Sequence, residues 1–513
     1  MPPAQQNFPL SDDWAFARGA IWFADGQGIH YSKWASMPQL GQWIWSAPFL
    51  WASTLPHVAL RVSIIILSWL GLVSFYSLLR QEKVSAHLAG FASCVLALNP
   101  LFFVSQGTYM TDVPALAFGL IALNAYARAI SQKDFRWLLL AVMVALLGVT
   151  TRQTLIVVPL VAGGLLLVRF PKLRFQPVWL LSLALPVLVC LATSYWFTRR
   201  ADITPMALSL RAKAVVFRPF LALHWCGLLV LPLCWLNWRE RSWKIYLAAL
   251  VAMLLGASAV FHWGNSLPYG GSFPYSAGML SPWGTNADGL MLGERSIVLS
   301  QTLRIILTIL GCVGGTEILA VLMATVQARA LPRLLALFTA LQFLLLLLLP
   351  PTMDRYFEVL FPGALALLVI RGTEWNFKLP RLLAVLVSGL IAVALMHDWL
   401  AWNAARWELG RQAVAIKFIA PTEIEGGFEW DGWFTSADPQ RPLANPERTQ
   451  PANETPGLNL LLSRYYFPAV NGRYALSFSK LPESEIIGAK SYQLWLPPHR
   501  KDLLLLEYRP TKP

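Results

Sequence analysis

Two adjacent carboxylates, Asp12 and Asp13, lie close to the start of the chain in the stretch "PLSDDWAFARGA", residues 9–20. A carboxylate can take a proton from an attacking hydroxyl group, and a like-charged neighbour can raise its pKa. Such general base catalysis contributes about 10²- to 10⁴-fold to a rate. The pair is therefore the first candidate catalytic site in the sequence.

Other charged residues stand beside apolar stretches further along the chain. They are Asp112 in "YMTDVPALAF", Arg152 in "TTRQT", Arg211 and Lys213 in "SLRAKAVVFR", and Asp354 and Arg355 with Tyr356 in "DRYFEVLFPG". Charged groups at membrane depth are costly and tend to be functional. Structural explanations are also open: Asp112 could cap a helix, and Arg152 could reach lipid headgroups. The segment with Arg211 could be an interfacial amphipathic helix, and Asp354 could pair locally with Arg355.

The composition determines which elements must position these residues. Of 513 residues, 56% are hydrophobic and only 13% are charged, whereas a soluble domain has about a quarter charged residues. Apolar stretches of about 17–25 residues can cross a bilayer core of about 30 Å. We therefore predict an all-α polytopic membrane protein. About twelve spans are expected, near residues 58–79, 85–104, 113–130, 136–150, 153–169, 178–197, 217–236, 243–261, 297–325, 331–349, 356–371 and 381–400.

The distribution of lysine and arginine predicts the orientation of these spans. Every second loop is basic, beginning with the loop that carries Arg80 and Lys83, as expected of short cytoplasmic loops. The net charge of +14 therefore reflects topology, and no nucleic-acid partner is predicted. Residues 1–57 then lie outside, and two explanations are open. Either an additional first helix, which would bring the number of spans to thirteen, is missing, or the short N-terminus is translocated with the first hairpin.

Three regions follow from this topology. Residues 1–57 form a first exterior loop with the acidic pair, residues 58–400 form the helix bundle, and residues 401–513 form a small exterior α+β region. In the last region, "AWNAARWELGRQAVAIKFI" is expected to be a helix, and "RYALSFS", "KSYQLWLP" and "DLLLLEYRP" are expected to be strands. All five cysteines fall within predicted spans, which excludes an exterior disulfide framework. No ligand spacing predicts a required metal or cofactor, so dependence on a divalent metal stays open.

These motifs resemble, in order and spacing, the GT-C superfamily of polyprenyl-phosphate-sugar-dependent glycosyltransferases. The branch most similar is that of protein O-mannosyltransferases and lipid A aminoarabinose transferases, the glycosyltransferase family 39 type. Its members open with an acidic pair followed by an aromatic residue and alanine, here Asp12, Asp13, Phe16 and Ala17. "YMTDVPALAF", "TRQTLIVVP", "DRYFEVLFPG" and "IEGGFEWDGWF" (424–434) resemble later motifs. In place of a basic residue or His before Pro-Pro, this chain has "WASMPQLGQWIW".

The resemblance implies a GT-C-like bundle that transfers a sugar from a polyprenyl-phosphate donor to an acceptor hydroxyl, with inversion of the anomeric centre. Asp12 would act as base, with Asp13 orienting it or binding the acceptor. Asp112 would form a second acidic site for the acceptor or a metal. The donor phosphate would be held by cations, with Arg152, Arg355, Arg211 and Lys213 as candidates, while Phe16, Asp354 and Tyr356 would adjoin the site. The acceptor could be a glycan, lipid or protein, and a bacterial source would place the site on the periplasmic face of the inner membrane.

A different class of protein is also compatible with the composition. Secondary transporters have about twelve helices and carry charges near the middle of the membrane, often in two similar halves. This sequence has no evident repeat, and its charges gather at the ends of predicted spans. A transporter or lipid flippase is therefore the alternative, and it gains support if Asp12 and Asp13 can be replaced without loss of function.

Overall fold

The computed structural model of the chain describes residues 3–32, 34–169, 176–200, 203, 212–234, 242–264, 279–285, 291–327, 333–349, 353–370, 379–435, 467, 469–470 and 472–508. Within these ranges the chain is mostly helical. The α-helices are α1 Asp13–Ala24, α2 Leu40–Trp51, α3 Pro56–Gln81, α4 Ala86–Ala97, α5 Pro100–Gln106, α6 Asp112–Gln132, α7 Phe135–Thr151, α8 Val157–Arg169, α9 Pro177–Thr198, α10 Ala212–Val230, α11 Trp243–Gly264, α12 Gln301–Gln327, α13 Arg333–Leu346, α14 Phe361–Val369, α15 Leu379–Lys417 and α16 Phe428–Thr435.

Two small sheets accompany the helices. The first pairs β1 Leu280–Ser281 with β2 Gly284–Thr285 in antiparallel fashion. The second has four strands in the order β3-β4-β6-β5, namely β3 Ile424–Glu425, β4 Tyr474–Ser477, β5 Ser484–Trp495 and β6 Pro498–Tyr508. Strands β4, β5 and β6 overlap the three stretches that the sequence predicts as strands, and β5 and β6 begin several residues earlier than predicted. A β-bulge between Ile486 and Gly488 interrupts the β5–β6 hairpin.

The helices identify a multi-pass membrane protein. Six of them (α3, α6, α9, α11, α12 and α15) are long and apolar enough to cross a membrane by length and composition. Shorter apolar helices lie in α7, α8, α10 and α13. Side chains such as Leu181, Leu188 and Leu255 point out from the bundle and are more than half exposed, as expected where a helix faces lipid rather than water. The predicted number of about twelve spans remains a prediction.

One predicted span is a broken helix. Residues 85–104 form α4 and α5, which are bent by 67° at Leu98–Asn99. The cause is local: the Asn99 side chain accepts hydrogen bonds from the N–H groups of Leu101 and Phe102 and caps a new helix. Pro100 also disfavours a helical conformation at the residue before it.

Helix α15 is much longer than the span predicted at 381–400. It has 39 residues and continues through the predicted boundary between residues 400 and 401. The extension, "AWNAARWELGRQAVAIK", is too polar to be recognised as a span, but it buries Trp402, Arg406 and Trp407. The sheet and α16 pack on this extension, so one rigid helix connects the bundle with the C-terminal region.

The first residues of the chain pack on one end of the bundle, which we call the site end. It comprises the beginnings of α3 and α6, the ends of α5 and α7, and the helices α1 and α2. The amide of Gln42 donates to the carbonyl of Tyr109 at 3.0 Å, and the N–H of Gln39 donates to the carbonyl of Thr151 at 3.3 Å. Arg61 donates to the carbonyl of Gln6 at 2.7 Å. These contacts bring distant candidate residues to the same place.

Candidate active site

Asp12 lies at the start of α1 with both carboxylate oxygens occupied. Its Oδ1 accepts a hydrogen bond from Nε1 of Trp34 at 2.9 Å, and its Oδ2 accepts one from Nη2 of Arg355 at 2.9 Å. The side chain retains 15% of its exposure. Asp12 is thus oriented by two donors and still reachable from the site end.

Arg355 also connects Asp12 to the second acidic residue. Its Nε lies 3.4 Å from Oδ2 of Asp112, the first residue of α6. The other oxygen of Asp112 accepts a hydrogen bond from Nη1 of Arg152, which follows the last residue of α7. Four charges from separate parts of the chain therefore form one cluster, Asp12–Arg355–Asp112–Arg152. Burying such a cluster is expensive, so it is more readily explained by a function than by stability.

Asp13 has different surroundings from its neighbour. It is 2% exposed, and its Oδ1 accepts a hydrogen bond from the backbone N–H of Tyr109 at 2.9 Å. Burial raises the pKa of Asp13 to about 7, although the N–H of Tyr109 and the charge of Arg61 act in the opposite direction. Phe16, one turn further along α1, is buried in the core. Asp13 therefore ties α1 to the segment that precedes Asp112.

Asp354 holds a loop beside Arg355. Its carboxylate accepts the backbone N–H groups of Met279 and Leu280 at 2.8 Å each and that of Arg355 at 2.7 Å. Burial raises the pKa of Asp354 to about 6, with these hydrogen bonds opposing the shift. The ring of Tyr356 lies 5.2 Å from the guanidinium carbon of Arg152 and 5.6 Å from that of Arg355. Tyr356 thus adjoins both arginines.

A small cavity of about 20 Å³ opens beside the cluster, with Asp112, Arg152, Arg355, Tyr356 and Glu358 in its wall. Its volume is about that needed for one water molecule. Glu358 is 1% exposed, and its Oε1 accepts a hydrogen bond from Oγ of Ser105 at 2.5 Å. Among the residues described, its Oε2 has no hydrogen-bond partner. The cavity therefore adjoins a buried carboxyl group.

A second, larger cavity of about 350 Å³ lies between α4, α5, α10, α12 and α15. Its wall is almost entirely apolar, with Leu280 and Ser281 of β1 on one side. Because Asp354 binds the N–H of Leu280, this cavity adjoins the segment that carries Arg355. Its apolar lining suits a hydrocarbon chain better than a polar ligand.

The structure places most of the predicted site residues together. Asp12, Asp112, Arg152 and Arg355 are in direct contact, Asp354 and Tyr356 adjoin them, and Asp13 and Phe16 lie on the same helix as the base candidate. Arg211 lies outside the described residues, and the side chain of Lys213 is outside them as well. Within the described ranges, no group of three or more His, Cys, Asp or Glu side chains could hold a metal ion.

Two contacts of the site are not predicted by the sequence. Trp34 lies in the segment where the expected basic motif is missing, and its indole N–H binds Asp12 instead. Glu358 lies within "DRYFEVLFPG", four residues after Asp354. This spacing of about one helical turn is the only sign in the sequence that it could lie near Asp354. Neither contact could be inferred without the positions of residues far apart in the chain.

Comparison with known proteins gives similarity of structure only. No known protein family and no curated protein matches the sequence. The structure is similar to ArnT from Cupriavidus metallidurans in the apo state, with 13% identity, 97% of this chain and 94% of that chain covered, and a TM-score of 0.41. The same protein bound to undecaprenyl phosphate gives 12% identity, 99% and 96% coverage and a TM-score of 0.40.

A third similar structure is the archaeal oligosaccharyltransferase AglB from Archaeoglobus fulgidus, in complex with an inhibitory peptide and a dolichol-phosphate. It has 14% identity, covers 92% of this chain and 66% of that chain, and gives a TM-score of 0.39. Similarity at this level does not transfer an activity, which has to be argued from the site. Over most of its length, the chain is similar in structure to ArnT and to the oligosaccharyltransferase AglB.

Proposed function

We propose that the protein is a membrane glycosyltransferase that moves a sugar from a polyprenyl-phosphate donor to an acceptor hydroxyl at the site end of the bundle. The observation that carries this proposal is the position of Arg355 between Asp12 and Asp112, with Arg152 on the far side of Asp112. This cluster combines a reachable carboxylate with two buried guanidinium groups at the end of apolar helices. From the alternation of basic loops along the sequence, we further propose that the site faces the exterior, periplasmic side of a bacterial inner membrane.

In this proposal Asp12 is the general base. The acceptor oxygen attacks the anomeric carbon and forms a new C–O bond, while its proton passes to the carboxylate of Asp12. The bond between the anomeric carbon and the phosphate oxygen breaks, and its electron pair stays on the phosphate. Displacement in one step inverts the anomeric centre. Trp34 occupies one oxygen of Asp12, which leaves the oxygen now paired with Arg355 for the proton.

Arg355 and Arg152 serve the leaving phosphate. An oxygen anion departing at a buried site is stabilised best by fixed cations, and guanidinium groups bind phosphate through paired hydrogen bonds. When the phosphate binds Arg355, it takes the place of the Asp12 carboxylate and frees that carboxylate to face the acceptor. The pairing of Asp12 with Arg355 is then the resting arrangement of a site awaiting its donor.

In this proposal the apolar cavity binds the lipid part of the donor. It begins at Leu280, whose N–H is fixed by Asp354, the residue before Arg355. An isoprenoid chain entering this cavity between α5, α10 and α15 would leave its phosphate beside Arg355. Each buried methylene group of such a chain contributes about 0.8 kcal/mol. Binding of the remote chain can thus hold the sugar in the orientation that the reaction needs.

The test measures release of labelled sugar by the purified protein from a panel of polyprenyl-phosphate sugars. We expect Asp12→Asn to lower turnover by about 10²- to 10⁴-fold, because the general base is lost, while donor binding is retained. Asp25→Asn is the matched control, since Asp25 is exposed just after the same helix α1. Equal turnover of Asp12→Asn and wild type, or no binding of any donor, contradicts the proposal, and transport of a lipid or solute would be assayed next.

A further inference from the structure

The residue before Asp12 has an unusual backbone conformation. Ser11 has a φ of 54°, in the left-handed region that residues with a side chain rarely adopt. Such a conformation is kept only where the surroundings enforce it, and it clusters at functional sites. Here the N–H of Ser11 donates to Oε1 of Glu429 at 3.0 Å, across 418 residues of sequence. The backbone that leads into Asp12 is therefore held by a carboxylate from the far end of the chain.

The side chain of Glu429 is itself held by a buried ion pair. It is fully buried, and its Oε2 accepts a hydrogen bond from Nη1 of Arg406 at 2.7 Å. Arg406 is also fully buried, and its Nη2 donates to Oδ1 of Asn403 at 2.5 Å. Arg406 and Asn403 belong to α15, the long helix that connects the bundle with the C-terminal region. The support of Ser11 thus extends into a rigid element of the membrane domain.

Helix α16, which carries Glu429, contacts the acidic pair at a second place. Phe428 packs edge-on against Trp34 at a centroid distance of 5.2 Å, and Trp34 donates to Asp12. Phe428 also meets Trp14 at 5.7 Å. A Cβ atom at Gly432 would lie 2.5 Å from the ring of Trp14, so only glycine allows α16 to come this close. Both the backbone before Asp12 and the partner of its carboxylate are therefore set by α16.

We propose that Glu429 is a positioning residue for Asp12. This inference rests on the proposed function, in which Asp12 is the base. Glu429 touches neither the donor nor the Asp12–Arg355 cluster, and it acts by holding the strained peptide before Asp12 so that the carboxylate faces the acceptor. The motif "IEGGFEWDGWF", which the sequence alone leaves without a role, supplies this support together with the aromatic and glycine contacts to Trp34 and Trp14.

A purely structural role predicts a different outcome from a positioning role. If Glu429 only anchored the C-terminal region, its removal would lower stability and leave the turnover of folded protein unchanged. A positioning role predicts that kcat falls while the donor KM keeps its wild-type value. It also predicts that relief of the strain at Ser11 restores part of the kcat, because glycine adopts a positive φ without steric cost.

Glu429→Ala alone is a poor test, because it leaves the charge of Arg406 buried and unpaired. The double variant Arg406→Met/Glu429→Leu removes both charges and the acceptor for Ser11, and apolar replacement of a buried pair is commonly tolerated. We expect its kcat to fall about 10- to 100-fold, since a displacement of about 1 Å at a catalytic group costs on the order of 100-fold. Adding Ser11→Gly should recover part of that loss. Hydrogen exchange of residues 8–16 should become faster in the double variant.

The control is the ion pair of Glu408 on α15 with Lys490 on β5, which is partly exposed. Lys490→Met/Glu408→Leu likewise removes one positive and one negative charge, one of them from α15, and should leave kcat at the wild-type value. The proposal is overturned if the Glu429 double variant is folded and keeps wild-type kcat, or if residues 8–16 exchange at the wild-type rate. If wild-type protein transfers no sugar from any donor, the proposed function fails, and the exchange measurement still decides whether Glu429 holds Ser11.

Discussion

Asp12 and Asp13 are adjacent in the chain, yet their surroundings give them different properties. Asp12 faces Arg355 and Trp34 and keeps some exposure, whereas Asp13 is buried against the N–H of Tyr109. Two carboxyl groups in different environments commonly take different roles in one active site. In this site the reachable carboxylate suits proton transfer, and the buried one suits attachment of α1 to the segment before Asp112.

The raised pKa of Asp13 predicts how stability depends on pH. Below about pH 4 this carboxyl is protonated in the folded and the unfolded chain. Between pH 3.8 and about pH 7 the folded chain keeps the proton that the unfolded chain has lost, so the free energy of unfolding falls as pH rises. The asparagine of Asp13→Asn cannot ionise, so the free energy of unfolding of this variant lacks this decrease. At about 1.4 kcal/mol for each pH unit, the decrease in wild type amounts to at most about 4 kcal/mol.

Thermal unfolding in detergent between pH 4 and 8 measures this difference. The Tm of wild type should decrease relative to that of Asp13→Asn as pH rises to about 7, and the difference should stay constant above that pH. Asp25→Asn, an exposed acid after the same helix, should follow the wild-type curve. A constant Tm difference between wild type and Asp13→Asn across the whole pH range would show that Asp13 does not keep its proton in the folded protein.

Among the elements, the crossing of α2 and α7 determines where Arg152 lies. A Cβ atom at Gly41 would come within 1.9 Å of the carbonyl oxygen of Leu147, so the two helices touch through their backbones. Arg152 follows α7 directly, and its guanidinium binds Asp112. A small change at Gly41 is therefore transmitted to one of the two arginines that we assign to the donor phosphate.

Gly41→Ala should consequently separate the two helices and displace Arg152. Overpacking of this kind costs about 1–3 kcal/mol, which a decrease in Tm would report, and the donor KM should rise because phosphate binding is weakened. Gly90→Ala is the matched control, because a Cβ atom at this position of α4 meets nothing within 4 Å. Alanine favours a helix over glycine, so this variant should keep its KM and a Tm equal to or above wild type. An unchanged donor KM in Gly41→Ala would show that Arg152 does not contribute to binding of the donor phosphate.

The elements also show what sequence patterns can and cannot predict here. The sequence predicts α3 at 58–79, and the helix spans Pro56–Gln81, because an uninterrupted apolar run leaves few alternatives. The sequence does not predict the break at Asn99, since Asn-Pro lies within an apolar run that is long enough to be one span. It does predict a helix at the polar end of α15, but the continuity of that helix with the preceding span depends on packing against α16 and the sheet.

At the scale of the whole molecule, the beginning and the end of the chain enclose the same site. Ser11 binds Glu429 over 418 residues, and Asp12 binds Arg355 over 343 residues. The sequence places candidate charges at one face of the membrane, but no periodicity or motif specifies which of them touch. Contacts of this separation arise from the tertiary fold alone. The same holds for Glu358, which accepts a hydrogen bond from Ser105 across 253 residues.

The β5–β6 hairpin joins this arrangement through a separate contact. Both carboxylate oxygens of Asp398 on α15 accept backbone N–H groups, from Trp495 at 2.7 Å and from Leu496 at 2.9 Å. The ring of His397 stacks on Trp495 at a centroid distance of 3.9 Å. Asp398 and Arg406 are two turns apart on one helix, so the hairpin and α16 are attached to the same rigid support by independent hydrogen bonds.

Independent attachment predicts that loosening the hairpin leaves Asp12 in place. Asp398→Asn keeps one acceptor oxygen for two donors and loses the negative charge, at a cost of about 1.5–3 kcal/mol for a hydrogen bond to a charged group. Exchange of the Trp495 and Leu496 amides should therefore accelerate about tenfold or more, while residues 8–16 and kcat keep their wild-type values. Asp502→Asn, in an exposed part of the same hairpin, should change neither. If residues 8–16 also exchange faster in Asp398→Asn, α15 transmits the state of the hairpin to the acidic pair, and the C-terminal sheet then influences the site through that helix.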